Sequence, residues 1–168
     1  MKINKLLGFL ALTLFVVNPS QAARSIVVIN WGATTSDSSS VHYARNSYDK
    51  EIRKIETLVS HSDTGNLRFY IYLENREGNI CDDYLPPTTD TVVFNHQAVK
   101  MVRFCKKYHG ENQTYYSYTP YTDEGHKYVV NLFKKSTKPV EVTVNGDTID
   151  IPVIGFTKIW NSFGGDAI

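Results

Sequence analysis

Val140-Glu-Val-Thr-Val144, Asn145-Gly146 and Thr148-Ile-Asp-Ile-Pro-Val153 decide the fold class. Two runs alternate apolar and polar residues, and an Asn-Gly pair separates them. Asn and Gly tolerate the positive φ angles of a type I′ turn, so this stretch predicts a β-hairpin. Upstream, Thr91-Val-Val-Phe-Asn95 and Ala98-Val-Lys-Met-Val-Arg-Phe-Cys105 flank a short Asn95-His96-Gln97 turn. The second run puts Val99, Met101, Arg103 and Cys105 on one side, and Lys100, Val102, Phe104 and Lys106 on the other.

Further strands are expected at Ser25–Trp31, which Gly32 ends, and at Leu67-Arg-Phe-Tyr-Ile-Tyr-Leu73. Thr114-Tyr-Tyr-Ser-Tyr118 is another candidate strand. Lys50–Ser60 suits two periods: Ile52, Ile55, Leu58 and Val59 have helical spacing, but the β-branched content favours a strand. Ala33–Ser40, small and polar, reads as a loop, and Pro86-Pro87 stiffens a second loop at Asp82–Pro87.

Two helices complete the pattern. Thr122 can cap a helix over about 122–135, with Asp123 and Glu124 at its positive end and Lys134 and Lys135 at its negative end. Tyr128, Val129, Leu132 and Phe133 form its apolar stripe. Phe156, Ile159, Trp160 and Phe163 mark a short amphipathic helix over about 156–163, stopped by Gly164-Gly165. Six to eight short strands with two helices predict one β-rich domain, β-sandwich-like or α+β.

The first 22 residues decide the compartment. Lys2 and Lys5 precede an apolar run from Leu6 to Val17, followed by Asn18-Pro19 and Ser20-Gln21-Ala22-Ala23. A charged start, an apolar centre and a small-x-small end make a secretory signal peptide, with cleavage expected between Ala22 and Ala23. Twelve apolar residues reach only ~18 Å as a helix, short of the ~30 Å hydrocarbon core. The mature domain, residues 23–168, is then expected in the periplasm or the secreted fraction, with no stable membrane insertion. An oxidising compartment makes a disulfide the default fate of two cysteines, here Cys81 and Cys105. Closing their 24-residue loop contributes ~3 kcal/mol in chain-entropy terms.

The chain of 168 residues carries 18 Lys+Arg against 17 Asp+Glu, a net charge of +1. That balance argues against a nucleic-acid partner. Nucleophile motifs such as G-x-S-x-G are missing, and Ser36–Ser40 lie in an expected loop. His42, His61, His96, His109 and His126 are scattered without metal-ligand spacing. Gly-rich phosphate cradles are absent too, so no catalytic residue, metal site or cofactor is assigned. Asp82 and Asp83 are adjacent, which suits a turn better than paired catalytic carboxylates.

Recognition chemistry remains. Tyr108, Tyr115, Tyr116, Tyr118 and Tyr121 are interleaved with Gly110, Asn112 and Gln113, a composition suited to contacting a partner. The alternative is that the tyrosines of a strand pack against the helix at 123–135. Asp82-Asp83-Tyr84 supplies a second candidate contact loop. Arg103, Lys106, Lys107, Lys134, Lys135 and Lys138 form either a local basic patch or a solvated face. Asn112-Gln-Thr114 matches a glycosylation sequon.

The order of a strand ending in Cys105, a helix, the 140–153 hairpin, and Ile151-Pro-Val-Ile-Gly155-Phe156-Thr157 leading into a last helix resembles a known family. It is similar to the C-terminal half of the invasion-associated locus B proteins, small exported bacterial β-sandwich domains. The resemblance covers about residues 91–163, and its most specific piece is the Gly-Phe-Thr step. It implies an envelope or host-interaction role and brings no catalytic residues. The expectation is therefore an exported bacterial non-enzymatic binding protein whose partner is another envelope, secreted or host protein. The alternatives are a periplasmic inhibitor or immunity protein against a toxin or cell-wall hydrolase, and a small secreted hydrolase.

Overall fold

Asn145 and Gly146 both take positive φ, 50° and 80°, and join strands that pair from Val140↔Ile151 to Val144↔Asp147. Asn95 and His96 repeat the device at φ 45° and 68°, closing a second two-residue hairpin whose last pair is Phe94↔Gln97. The two turns are linked. Asn95 and Glu141 exchange hydrogen bonds of 2.9 Å, which pins the first hairpin to the second.

The computed structural model describes residues 26–32, 38–44, 52–75 and 78–165. The expected signal peptide and its cleavage point lie outside them. Nine strands are described: β1 (Ile26–Ile29), β2 (Ser38–Ala44), β3 (Ile52–His61), β4 (Leu67–Asn75), β5 (Thr88–Phe94), β6 (Gln97–Lys107), β7 (Thr114–Pro120), β8 (Val140–Val144) and β9 (Asp147–Ile151). Helix α1 (Asp123–Lys135) lies between β7 and β8, and α2 (Phe156–Ser162) follows β9. All pairings are antiparallel, in one sheet ordered β1-β2-β3-β4-β7-β6-β5-β8-β9. The sheet nearly closes, because β9 approaches β2. The domain is thus β-rich with two helices, and one continuous sheet replaces the two separate sheets of a sandwich.

Period-2 alternation sets the inner face. Ile55 and Val59 of β3, Phe69, Ile71 and Leu73 of β4, and Val140, Val142 and Val144 of β8 are wholly buried. Val129, Val130 and Phe133 of α1 and Phe156 and Trp160 of α2 join the same core. Tyr128 and Leu132, expected on the α1 stripe, are half-buried at its margin. Four rings meet at the centre: Trp31 lies 4.9 Å from Phe156, Phe133 lies 5.0 Å from Phe69, and Phe133 lies 5.3 Å from Phe156. Burying each such side chain contributes about 1.5–3 kcal/mol. The α1 cap forms as expected, with Thr122 Oγ1 accepting from Gly125 N at 3.1 Å.

One expectation is corrected. Ser38–Ser40, read as part of a loop, belong to β2. The hydroxyls of Ser39 and Thr57 bond to each other at 2.6 Å in a buried position, and Ser38 donates to Glu56 at 2.7 Å. Cross-strand partners on β3 satisfy these polar groups, so tertiary pairing overrides their turn preference. The ambiguous Lys50–Ser60 run is a strand, with Ile55, Thr57 and Val59 inward.

Candidate functional site

Cys81 and Cys105 are bridged, with Cα atoms 5.9 Å apart. The bond ties the loop between β4 and β5 to the end of β6. Thr114, buried at the start of β7, reinforces the tie. Its hydroxyl accepts from Cys81 N at 3.3 Å and donates to Cys81 O at 2.8 Å, while its amide donates to Asn79 Oδ1 at 3.0 Å. Asp82 then folds the loop tip, its carboxylate accepting from Tyr84 N at 3.1 Å and its carbonyl from Leu85 N at 3.3 Å.

The tip this creates is apolar and bare. Tyr84 is 91% exposed and Leu85 64% exposed, with Pro86 and Pro87 following. Beside it runs an open groove of about 410 Å³ lined by Asp82, Asp83, Tyr84, Lys107 and Asn112, among others. Asp82 and Asp83 are exposed turn residues here. The disulfide and Thr114 fix this loop before any partner arrives, which lowers the ordering cost of contact.

The five singled-out tyrosines do not come together. Tyr116 and Tyr118 point inward from β7, and Tyr118 is wholly buried. That removes Tyr118 from any contact surface, and its replacement would alter the core instead. Arg103 faces the same region from β6, with its guanidinium 2.9 Å from Asp90 and 4.9 Å from the Tyr116 ring. Burial pushes the Tyr118 hydroxyl up to about 12, against the pull of Arg103. Tyr121 is 55% exposed, and Lys100 sits 4.6 Å over its ring.

Tyr108 and Tyr115 lie on the opposite, outer face, in a run of rings. Tyr108 is 4.4 Å from Tyr115, Tyr115 is 4.8 Å from Tyr72, and Tyr72 is 6.4 Å from Tyr70. Burial raises the pKa of both Tyr72 and Tyr108, with Tyr115 adding to the first and Glu74 to the second. These phenols stay neutral donors at ordinary pH. Nearby, Lys54 bridges Glu56 at 2.6 Å and Glu74 at 2.9 Å. Burial opposes the Lys54 charge, but the two carboxylates outweigh it and hold its pKa above the ordinary lysine value.

The basic set is divided as well. Arg103 is on the inner face of β6 with Asp90, and Lys106 is on the outer face, where its ammonium lies 5.3 Å over the Phe104 ring. The described histidines are separate: His61 lies tilted 6.0 Å from Phe163, His96 is an exposed turn residue, His109 is exposed, and His126 packs 5.7 Å from Trp160. The His42 side chain lies outside the described residues. Among the described residues no three His, Cys, Asp or Glu converge as metal ligands.

Sequence reasoning passed over Tyr72, Phe104 and Ser117, which the sheet brings together on its outer face. The alternation in Leu67–Leu73 marks Tyr70 and Tyr72 as the outward set, as that of 98–106 marks Phe104 with Lys100 and Lys106. No family model matches the chain, and neither a curated protein nor a solved structure matches it.

Proposed function

We propose that this chain is an exported bacterial protein that acts by binding another protein, with the tethered tip Tyr84-Leu85 as its contact surface. The observation that carries this reading is the pairing of two large exposed side chains with a loop held by the disulfide and by Thr114. Large apolar groups on a fixed loop are what a partner's pocket can bury at low entropic cost. The signal-peptide pattern of residues 1–22 and the resemblance of residues 91–163 to an exported family support the same reading.

A second reading is an inhibitor or immunity protein against a toxin or cell-wall hydrolase, favoured by the same protruding loop with Asp82 and Asp83 beside its tip. One experiment addresses both. Residues 23–168 are used to capture partners from envelope and culture fractions, in parallel with a Tyr84→Ser/Leu85→Ser variant. A stoichiometric protein captured by the first and lost by the second is expected. If that protein is a hydrolase whose activity falls on binding, the inhibitor reading replaces the general one. Capture that is equal for both forms would overturn the loop as contact surface.

A further inference from the structure

The outer face of the central strands holds a groove separate from the tethered loop. Tyr72 on β4 lies opposite Ser117 on β7, and Ser117 lies opposite Phe104 on β6, so the three form one row across adjacent strands. Adjacent strands are ~4.8 Å apart, which sets the outer two backbones at roughly 10 Å. Ser117 is the small member and is 4% exposed, so it makes a floor between two aromatic walls. A van der Waals contact takes about 3.5–4 Å on each side of an inserted group. The Tyr72 ring rests 4.8 Å from Tyr115 and the Lys106 ammonium lies 5.3 Å over Phe104, so a ring entering between the walls displaces Lys106 from that face. The groove extends to about 370 Å³, with Ser60, His61 and Arg68 toward one end and Tyr115 and Lys106 toward the other.

We propose that this groove is an oligosaccharide-binding site, in which one sugar ring stacks between Tyr72 and Phe104 above Ser117. A sugar ring has apolar C–H faces and a hydroxyl edge. The groove matches both, with aromatic walls and the hydroxyls of Ser60, Ser117, Thr119 and Tyr115. Its charge balance points the same way. Arg68 is held by Asp123 at 3.3 Å and Asp63 lines the groove at the same end, which leaves Lys106 as the one further Lys or Arg among the lining residues, so the site lacks the row of cations that a nucleic-acid strand requires. An added peptide strand is also disfavoured, because β4, β7 and β6 are each paired on both sides and offer no free edge.

The test is a broad glycan array probed with the purified protein, followed by calorimetric titration of the strongest binder. Three variants are run beside it, with thermal melting of each: Phe104→Ala removes a wall, Ser117→Leu fills the floor, and Asp150→Asn alters an exposed position on β9. Saccharide binding is expected to weaken about tenfold or more, or ~1.4 kcal/mol, in the first two and to stay unchanged in the third. Using two groove variants keeps the result readable if one of them folds poorly. An array with no binder overturns the proposal, and so does saccharide binding that survives both folded groove variants.

Discussion

Arg53 on β3 and Asp147 on β9 form an ion pair across the closing seam of the sheet, Nη1 to Oδ2 at 3.4 Å. Their side chains are only 11% and 3% exposed. They are 94 residues apart in the chain and sit on strands that do not pair with each other. Removing one partner leaves the other charge buried, which costs more than the pair itself contributes. Asp147→Ala is expected to lower unfolding free energy by about 3–5 kcal/mol in denaturant titration. The double replacement Arg53→Met/Asp147→Leu should recover most of that loss. A double variant as unstable as the single one would refute this account.

Reducing Cys81–Cys105 releases a loop closed over a sequence separation of 24. The chain-entropy value of ~3 kcal/mol translates into a fall in melting temperature of roughly 6–12 °C for a domain of this size. Scanning calorimetry with and without reductant measures it. Hydrogen exchange of the Cys81 and Thr114 amides should rise more than that of Ile71 or Val142 if the loop loosens locally.

Gly155 begins α2 with φ 93°, and a Cβ there would collide with the carbonyl oxygen of Trp31. Gly146 has a similar φ of 80° but open space around it. The comparison separates backbone strain from collision. Gly146→Ala should cost about 1–2 kcal/mol, whereas Gly155→Ala should cost roughly 2–5 kcal/mol. Near-ultraviolet circular dichroism of Trp31 and Trp160 should change only in the second.

His126 carries a pH dependence. Burial, with Arg68 acting in the same direction and Asp123 against it, lowers its pKa from 6.5 to about 4. The folded chain therefore resists a proton that the unfolded chain accepts. The contribution is fully present above pH 6.5 and is lost progressively as pH falls toward about 4. His126→Gln should flatten the acid side of the stability profile between those limits. An unchanged slope would place the acid sensitivity elsewhere.

How far the sequence could be read depends on how local each feature is. The turns at Asn95-His96 and Asn145-Gly146 are legible because their positive φ values demand particular residues. Helix α1 is legible from Thr122 and its charged ends. Ser38–Ser40 are not, since they enter β2 through pairing with β3, where Glu56 and Thr57 answer the hydroxyls of Ser38 and Ser39. The tyrosine run misleads for a related reason. Residues 115–118 look uniform in sequence, but pleating sends Tyr115 outward and Tyr116 and Tyr118 inward. Tyr72, Phe104 and Ser117 come from three strands, and only the β4-β7-β6 order makes them neighbours.

The indole of Trp31 donates to Pro152 O at 2.8 Å, across 121 residues. The Phe156 ring, edge-on to it at 4.9 Å, comes later still in the chain, while the rings of Phe69 and Phe133 face it at 6.4 and 6.3 Å. That arrangement fixes an order of events. Closing a loop of this length is entropically costly and slow, so the seam should form late on the folding path. A growing chain halted before residue 152 would hold all nine described strands and α1 but leave Trp31 without its acceptor and without the Phe156 ring. Refolding rates of C-terminally shortened chains should therefore lose their final phase, with tryptophan fluorescence reporting it.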